Sequence, residues 1–302
     1  MRNAEKILRR LDWTVVRRLD GLLHGDYRTL FHGSGLDFAE LREYQLTDDV
    51  RLIDWNVTAR MQTPYVRQYL EDRDITAWFL LDLSPSVDFG TVETLKRTML
   101  IDFVAVMARL LTRNGNRVGG ILYGGKVDGL IPALSGRNHV LRLMDSVINH
   151  PRLKNMSTTD LGPLLETSLR VMKRRSVVFI ISDFISAPGW EKSLGVMARR
   201  HDVLAVRLYD PREVQLPDLG VIVMEDSESG QQMFVDTHDQ RFRKRFIEAA
   251  ARRKQQIESA FVKAGVDIME LSTEDDLANS LFRQSKLRKK RRKTNISMVN
   301  QA

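Results

Sequence analysis

Thr76 to Ser86 reads TAWFLLDLSPS, a continuous apolar run that ends at a carboxylate and then offers two serines. An apolar run that does not alternate is the mark of a strand covered on both faces, the kind a parallel sheet buries. In such sheets ligands are met in the loops beyond the carboxyl ends of the strands. Asp82, Ser84 and Ser86 therefore stand where chemistry is to be sought.

Outward from this stretch, strand and helix patterns alternate. Thr94 to Thr112 has helical spacing, and Arg117 to Tyr123 is a strand turned by Gly124-Gly125 into Lys126 to Ile131. Asn138 to Ile148 and Leu161 to Lys173 read as helices, Ser176 to Ile181 as a second buried strand, Gly189 to Arg199 as a helix and Asp202 to Leu208 as a strand. This order predicts an α/β fold with a doubly wound, mostly parallel sheet and right-handed crossovers. Short β pieces follow at Val221 to Met224 and Gln232 to Val235, then a charged helix from Asp239 to Ala264 that Gly265 stops. Asp267 to Leu271 suits a last strand, and Ser272 or Thr273 suits the cap of a final helix. Upstream, Ala4 to Leu23 carries an apolar stripe through Ile7, Leu8, Leu11, Val15, Leu19, Leu22 and Leu23 that needs a covering surface. Gly25 to Arg73 holds no period and reads as a small β-rich, irregular subdomain. The organisation expected is residues 1–73 as N-terminal helix and subdomain, 74–283 as the α/β domain with C-terminal helices, and 284–302 as a basic tail.

Composition narrows the chemistry. The chain has 302 residues and no cysteine, which removes disulfides, thiolate metal sites and cysteine nucleophiles and suits a reducing compartment. A cytoplasmic location follows as the expectation, or membrane association through a partner, since no stretch reads as a signal peptide or membrane span. Of the net charge of +8, Lys286, Arg288, Lys289, Lys290, Arg291, Arg292 and Lys293 account for all but +1. Specific nucleic-acid binding is not implied; a solvated tail is expected, with contact to anionic surfaces as its alternative. The six histidines are scattered and are assigned no role.

Two further strand-end segments join Asp82. Thr158 and Thr159 precede the helix at Leu161, with Thr159 nearer its start, and Asp183 follows the strand ending at Ile181. Together they offer carboxylates and hydroxyls, hard donors that suit Mg²⁺, Mn²⁺ or Ca²⁺. Read alone, an Asp with nearby serines is as readily a turn or helix cap.

The D-x-S-x-S element of Asp82, Ser84 and Ser86, with Thr159 and Asp183, resembles the metal-ion-dependent adhesion site of von Willebrand factor A domains. Upstream, Phe38, Arg42, Tyr44, Asp48, Asp49, Arg51, Ile53, Asp54, Trp55 and Arg60, then Val66-Arg67, resemble the signature of the bacterial DUF58 family. The threonine loop departs from the family's often glycine-rich form. The resemblance implies a metal held by Asp82, Ser84, Ser86, Thr159 and Asp183, with one position open to a partner's carboxylate. It also implies a non-enzymatic protein-interaction module, companion of a MoxR-type AAA+ ATPase; the chain has no Walker A pattern of its own. The alternative is a metal-dependent hydrolase or phosphatase using Asp82 and Asp183. The Arg42 to Arg60 block reads as structural, with Asp48, Asp49 and Asp54 paired to Arg42, Arg51 and Arg60 and Trp55 buried, or else as an interaction surface.

Overall fold

The computed structural model describes residues 1–23, 40–45, 48, 50, 53–68, 75–91, 94–153 and 158–299. Its centre is a six-stranded sheet. Chain order within it runs β3 (Thr76–Asp82), β4 (Arg117–Tyr123), β5 (Val127–Leu134), β6 (Val177–Ser182), β7 (Asp202–Tyr209) and β10 (Asp267–Ser272). Spatial order is β5-β4-β3-β6-β7-β10, parallel throughout except for β5, which lies antiparallel at one edge. The chain builds the sheet leftward from β3 through β4 to β5 and then rightward from β6, so β3 and β6 flank the topological switch point. This is the doubly wound, mostly parallel α/β fold that the alternating pattern predicts, and the architecture that the resemblance to von Willebrand factor A domains implies.

Period-two geometry sorts the side chains of the central strands onto two cores. Ala77, Phe79 and Leu81 of β3 and Val177, Phe179 and Ile181 of β6 enter one, and Trp78 and Leu80 with Val178 and Ile180 enter the other. Phe79 and Phe179 stack at 5.3 Å across neighbouring strands. Each fully buried aromatic of this kind contributes about 2 to 3 kcal/mol relative to exposure. The first core is covered by α4 (Lys96–Arg113) and α5 (Arg137–Ile148), the second by α6 (Gly162–Val171), α7 (Trp190–Arg200) and α8 (Gln240–Ala264). At Gly119 in β4 a Cβ would stand 2.8 Å from the Trp78 ring, so the close approach of that indole requires glycine.

The N-terminal stripe finds its cover on the first core. Helix α1 (Arg2–Leu11) passes through a π-helical stretch, Asp12–Val16, into α2 (Arg17–Leu23). The wider turn rotates the face so that the consecutive Val15 and Val16 are both buried, along with Leu8, Leu11 and Leu19. Ion pairs to α4 flank the contact, Arg10 to Asp102 at 2.6 Å and Arg113 to Asp20 at 3.2 Å.

Within the upstream segment, β1 (Glu40–Glu43) pairs antiparallel with β2 (Tyr65–Gln68), and α3 (Trp55–Met61) lies between them in sequence. Trp55 departs from its expected burial and is 70% exposed. The buried residue is its neighbour Asp54, whose carboxylate accepts the Val57 amide at 3.3 Å and caps α3; one step round the helix then turns the indole outward. Phe38, Asp49, Arg51 and the Arg42 side chain lie outside what the structure describes, as does the ion pairing expected of them.

At the other end, α9 (Leu277–Val299) is capped by Asp276, which accepts the Asn279 amide at 2.9 Å, rather than by Ser272 or Thr273. Ser272 and Asp275 instead close the turn before it, the Ser272 amide donating to Asp275 at 3.0 Å. The basic run also differs from a wholly solvated tail. Arg288 is 7% exposed and its guanidinium meets Asp202 at 3.1 Å and Asp267 at 3.2 Å, at the amino ends of β7 and β10. A helix that continues the docked surface of Leu277 and Leu281 carries this arginine inward. Among the described residues no helix is long and apolar enough to cross a membrane.

Candidate functional site

Strand parity puts Asp82 and Ser182 on the same side of the sheet at the carboxyl ends of β3 and β6, and the Ser182 hydroxyl donates to Asp82 Oδ2 at 2.6 Å. The Ser84 amide donates to Asp82 Oδ1 at 3.0 Å, bending the chain into one 3-10 turn over Pro85–Asp88. Ser84 precedes that turn yet its hydroxyl makes no capping bond; it meets the Ser86 hydroxyl at 3.1 Å. Asp82, Ser84 and Ser86 are thus gathered in one buried spot. Burial, and then the negative Asp183 beside it, push the Asp82 carboxyl from its ordinary 3.8 up to about 6, against the hydrogen bonds from Ser182 and Ser84 that pull it down.

Asp183 is held from two sides. Its Oδ1 accepts the Ile185 amide at 3.0 Å and its Oδ2 the Lys96 ammonium at 3.0 Å. Lys96 is fully buried at the start of α4 and also donates to Glu213 at 2.7 Å. Burial opposes its charge, but the two carboxylates more than reverse this and raise its pKa above the ordinary value. The next residue, Phe184, has a left-handed φ of 59°, which strains any side chain with a Cβ. Its amide donates to the Ser182 hydroxyl at 2.8 Å, and its ring is clamped by Phe261 at 4.8 Å and Trp190 at 5.8 Å. The aromatic clamp fixes the kink that turns Asp183 out of the strand.

Thr159 is tied to the loop after β6: the Ala187 amide donates to its carbonyl at 2.8 Å, and the Leu161 amide donates to the Ser186 hydroxyl at 3.0 Å. Its own amide and hydroxyl both point to Glu228, at 3.1 Å and 2.5 Å. Glu228 lies at the tip of a two-stranded hairpin, β8 (Val221–Glu225) and β9 (Gln232–Asp236). Buried Tyr123 stands between the two sides. Its phenol pKa is raised by burial first and further by the negative Asp82, Asp160 and Glu228. Thr158, the other threonine of the loop, is exposed, whereas Thr159 is 1% exposed.

Of the five predicted residues, Asp82, Ser84 and Ser86 are joined by direct hydrogen bonds and Asp183 acts on Asp82 through its charge, while Thr159 is tied to the loop that follows β6 and to Glu228. The donor set is all oxygen. Hydroxyls that give their proton to a neighbour keep lone pairs for a cation, and a buried carboxylate beside a second one gains most from a positive ion. These residues fit Mg²⁺, Mn²⁺ or Ca²⁺. Lys96 already balances part of the charge at Asp183, which leaves Asp82 as the strongest candidate for a direct ligand and Asp183 as an outer one. Lys96, Glu213 and Glu228 do not emerge from the sequence reading, whereas Ser182, adjacent to Asp183 at a strand end, is marked by its position.

The chain matches the family described as "Protein of unknown function DUF58" over residues 40–256. It is 36% identical over 278 residues to uncharacterized proteins of Mycobacterium bovis and Mycobacterium tuberculosis, covering 91% of this chain and 87% of each relative. Among solved structures it is similar to the conserved hypothetical protein BatB of Bacteroides thetaiotaomicron, at 12% identity and a TM-score of 0.47, with 72% of this chain and 99% of that one covered. An aerotolerance-related membrane protein of Bacteroides fragilis is comparable, at 14% identity and a TM-score of 0.45 over 71% of this chain and 98% of that one. The sequence match, extending from β1 into α8 and so across both the upstream block and the strand-end site, sets the assignment: the chain belongs to the DUF58 family.

Proposed function

We propose that this protein is a non-enzymatic interaction module of the reducing cytoplasm. Its strand-end site holds Mg²⁺, or Mn²⁺ or Ca²⁺, through Asp82, Ser84, Ser86 and Thr159, with Asp183 behind them, and takes a carboxylate from a protein partner. The observation that carries this reading is the buried Asp82, whose two oxygens accept from neutral donors, the Ser84 amide and the Ser182 hydroxyl, and which is set beside the hydroxyls of Ser84 and Ser86 at the switch point. When bound, the cation supplies positive charge at a place with few anionic ligands, so an incoming Glu or Asp strengthens its hold. The chain's own residues do the rest: Ser182 and the Ser84 amide orient Asp82, and Lys96 with the Ile185 amide orients Asp183.

The partner class that fits a DUF58 chain is a MoxR-type AAA+ ATPase, which would supply the energy that this chain lacks a nucleotide motif to harvest. The alternative reading is a metal-dependent hydrolase or phosphatase using Asp82 and Asp183; Asp183 is held there by the Lys96 ammonium and the Ile185 amide.

Calorimetric titration with Mg²⁺ and Mn²⁺ tests the site. Asp82→Ala is expected to abolish the heat of binding in a protein that still melts cooperatively; unchanged affinity in that variant refutes the assignment. Capture of the ATPase from native extract, lost on Ser84→Ala with Ser86→Ala and retained on truncation of the basic run beyond Arg288, tests the partner. Metal-dependent turnover of a phosphate ester, lost in Asp82→Asn, would instead establish the enzyme.

A further inference from the structure

Hairpin β8–β9 is an outgrowth between β7 and α8 that forms its own two-stranded sheet and, among the described residues, pairs with no strand of the main sheet. Its base is fixed. The Thr237 amide and hydroxyl both donate to the Gly220 carbonyl, at 2.8 and 2.7 Å, and Val235 is buried. Its outer face is uncovered, with Val223 52% and Phe234 82% exposed. The tip, Glu225 to Gln232, reads EDSESGQQ and has no apolar residue with which to pack. What holds the tip is polar and specific.

Within it, Asp226 Oδ1 accepts the Glu228 amide at 3.1 Å and the amide and hydroxyl of Ser229 at 2.7 and 2.8 Å. That turn presents Glu228 as its projecting side chain. The Glu228 carboxylate then takes both protons that Thr159 has to give, amide and hydroxyl, from 69 positions away in sequence. A backbone amide and a hydroxyl converging on one carboxylate is the chemistry by which a protein recognises an acidic side chain. Here that recognition is already satisfied from within the chain.

Building on the reading of the strand-end site as a receptor for a partner's carboxylate, we infer that Glu228 is its internal ligand. It occupies Thr159 in the free protein and is exchanged for an acidic residue that the partner presents in the same manner, on a tight turn flanked by small polar residues. The internal ligand is always at hand, so it weakens the apparent affinity for the external one by the factor with which it favours its own closed state. For charge-assisted hydrogen bonds that factor is about ten- to a hundredfold. The exposed Val223 and Phe234 lie on the element that must move aside, where a partner touching them would favour the exchange.

Two measurements decide it. Hydrogen exchange at the Thr159 amide, with no metal added, is expected to quicken about tenfold in Glu228→Ala relative to the unaltered protein. The second uses a synthetic octapeptide of sequence EDSESGQQ in Mg²⁺ buffer as the acidic probe, with EDSQSGQQ as its control. The acidic peptide is expected to bind Glu228→Ala at least about tenfold more tightly than the unaltered protein, and the control to bind neither. Equal affinity for both proteins, no binding to either, or unchanged exchange at Thr159 overturns the inference. Failure of the underlying site shows separately, as Mg²⁺ affinity that Asp82→Ala does not reduce, because the exchange measurement needs no metal.

Discussion

Replacing Arg288 with methionine keeps an apolar stem and deletes the charged guanidinium, so that Asp202 and Asp267 lose its contacts at the amino ends of β7 and β10. The side chains concerned are 6%, 13% and 29% exposed, so solvent repairs only part of the loss. Breaking a wholly buried pair from one side costs about 3 to 5 kcal/mol. Discounted for the exposure of Asp267, the expected loss is about 2 to 3 kcal/mol. For a domain of this size that corresponds to a fall in melting temperature of about 5 to 8 °C, read by differential scanning fluorimetry. Arg283→Met, on the exposed side of the same helix, serves as the control and is expected to stay within about 0.5 kcal/mol. High salt separates the alternatives further. A buried pair is weakly screened, so the deficit should persist in about 1 M NaCl, where a diffuse tail effect disappears. If Arg288→Met melts within about 1 °C of the unaltered protein, or salt erases its deficit, the docking of this helix end is refuted.

Other predictions concern the strand-end site. In protein treated with EDTA, Asp82→Asn should be more stable than the unaltered chain at pH 7.5, because the folded state raises Asp82 from 3.8 to about 6 and so disfavours its charged form. That difference corresponds to about 3 kcal/mol, builds as pH rises from 3.8 towards 6, and should vanish in urea melts below about pH 4; a pH-independent gap contradicts it. Lys96→Met strips the cation from Asp183 and Glu213 and should cost about 3 kcal/mol in chemical denaturation; a loss below about 1 kcal/mol would mean that water replaces the ammonium freely. Phe184→Gly sets two effects against each other: relief of a left-handed φ is worth about 1 kcal/mol, while the lost aromatic packing costs about 3 to 5 kcal/mol. Packing should win, and a variant as stable as the unaltered protein would show that the clamp is dispensable.

The sheet is legible in the sequence because continuous apolar runs such as TAWFLL and VVFII have few other uses, and the loops that follow them declare where ligands are met. The segments holding Asp82, Ser84, Ser86, Thr159 and Asp183 could be marked for that reason, and the resemblance to the adhesion site is what joined them into one set. Their partners could not. Lys96 looks like any lysine at a helix start, and its bond to Glu213 spans 117 positions that no local pattern connects. Arg288 sits in a run of like charges where one residue's inward turn is decided by helix phase and by acids at two distant strand starts. Trp55 and Asp54 exchange expected roles because capping geometry, and not hydrophobicity, selects which of the two faces inward.

The first helix and the last meet on the same sheet face. Arg18 of α2 pairs with Asp276 at 2.8 Å and bonds Asn279 at 3.2 Å, contacts separated by 258 and 261 positions. The apolar stripe of α1 and α2 therefore emerges from the ribosome long before α9 exists to complete its surroundings. Closing so large a loop is slow, so the part of the stripe nearest α9 keeps an incomplete cover late into synthesis even after α4 is in place. A holdase that shields residues 2–23 during translation would thus raise the yield of native protein without touching its final stability.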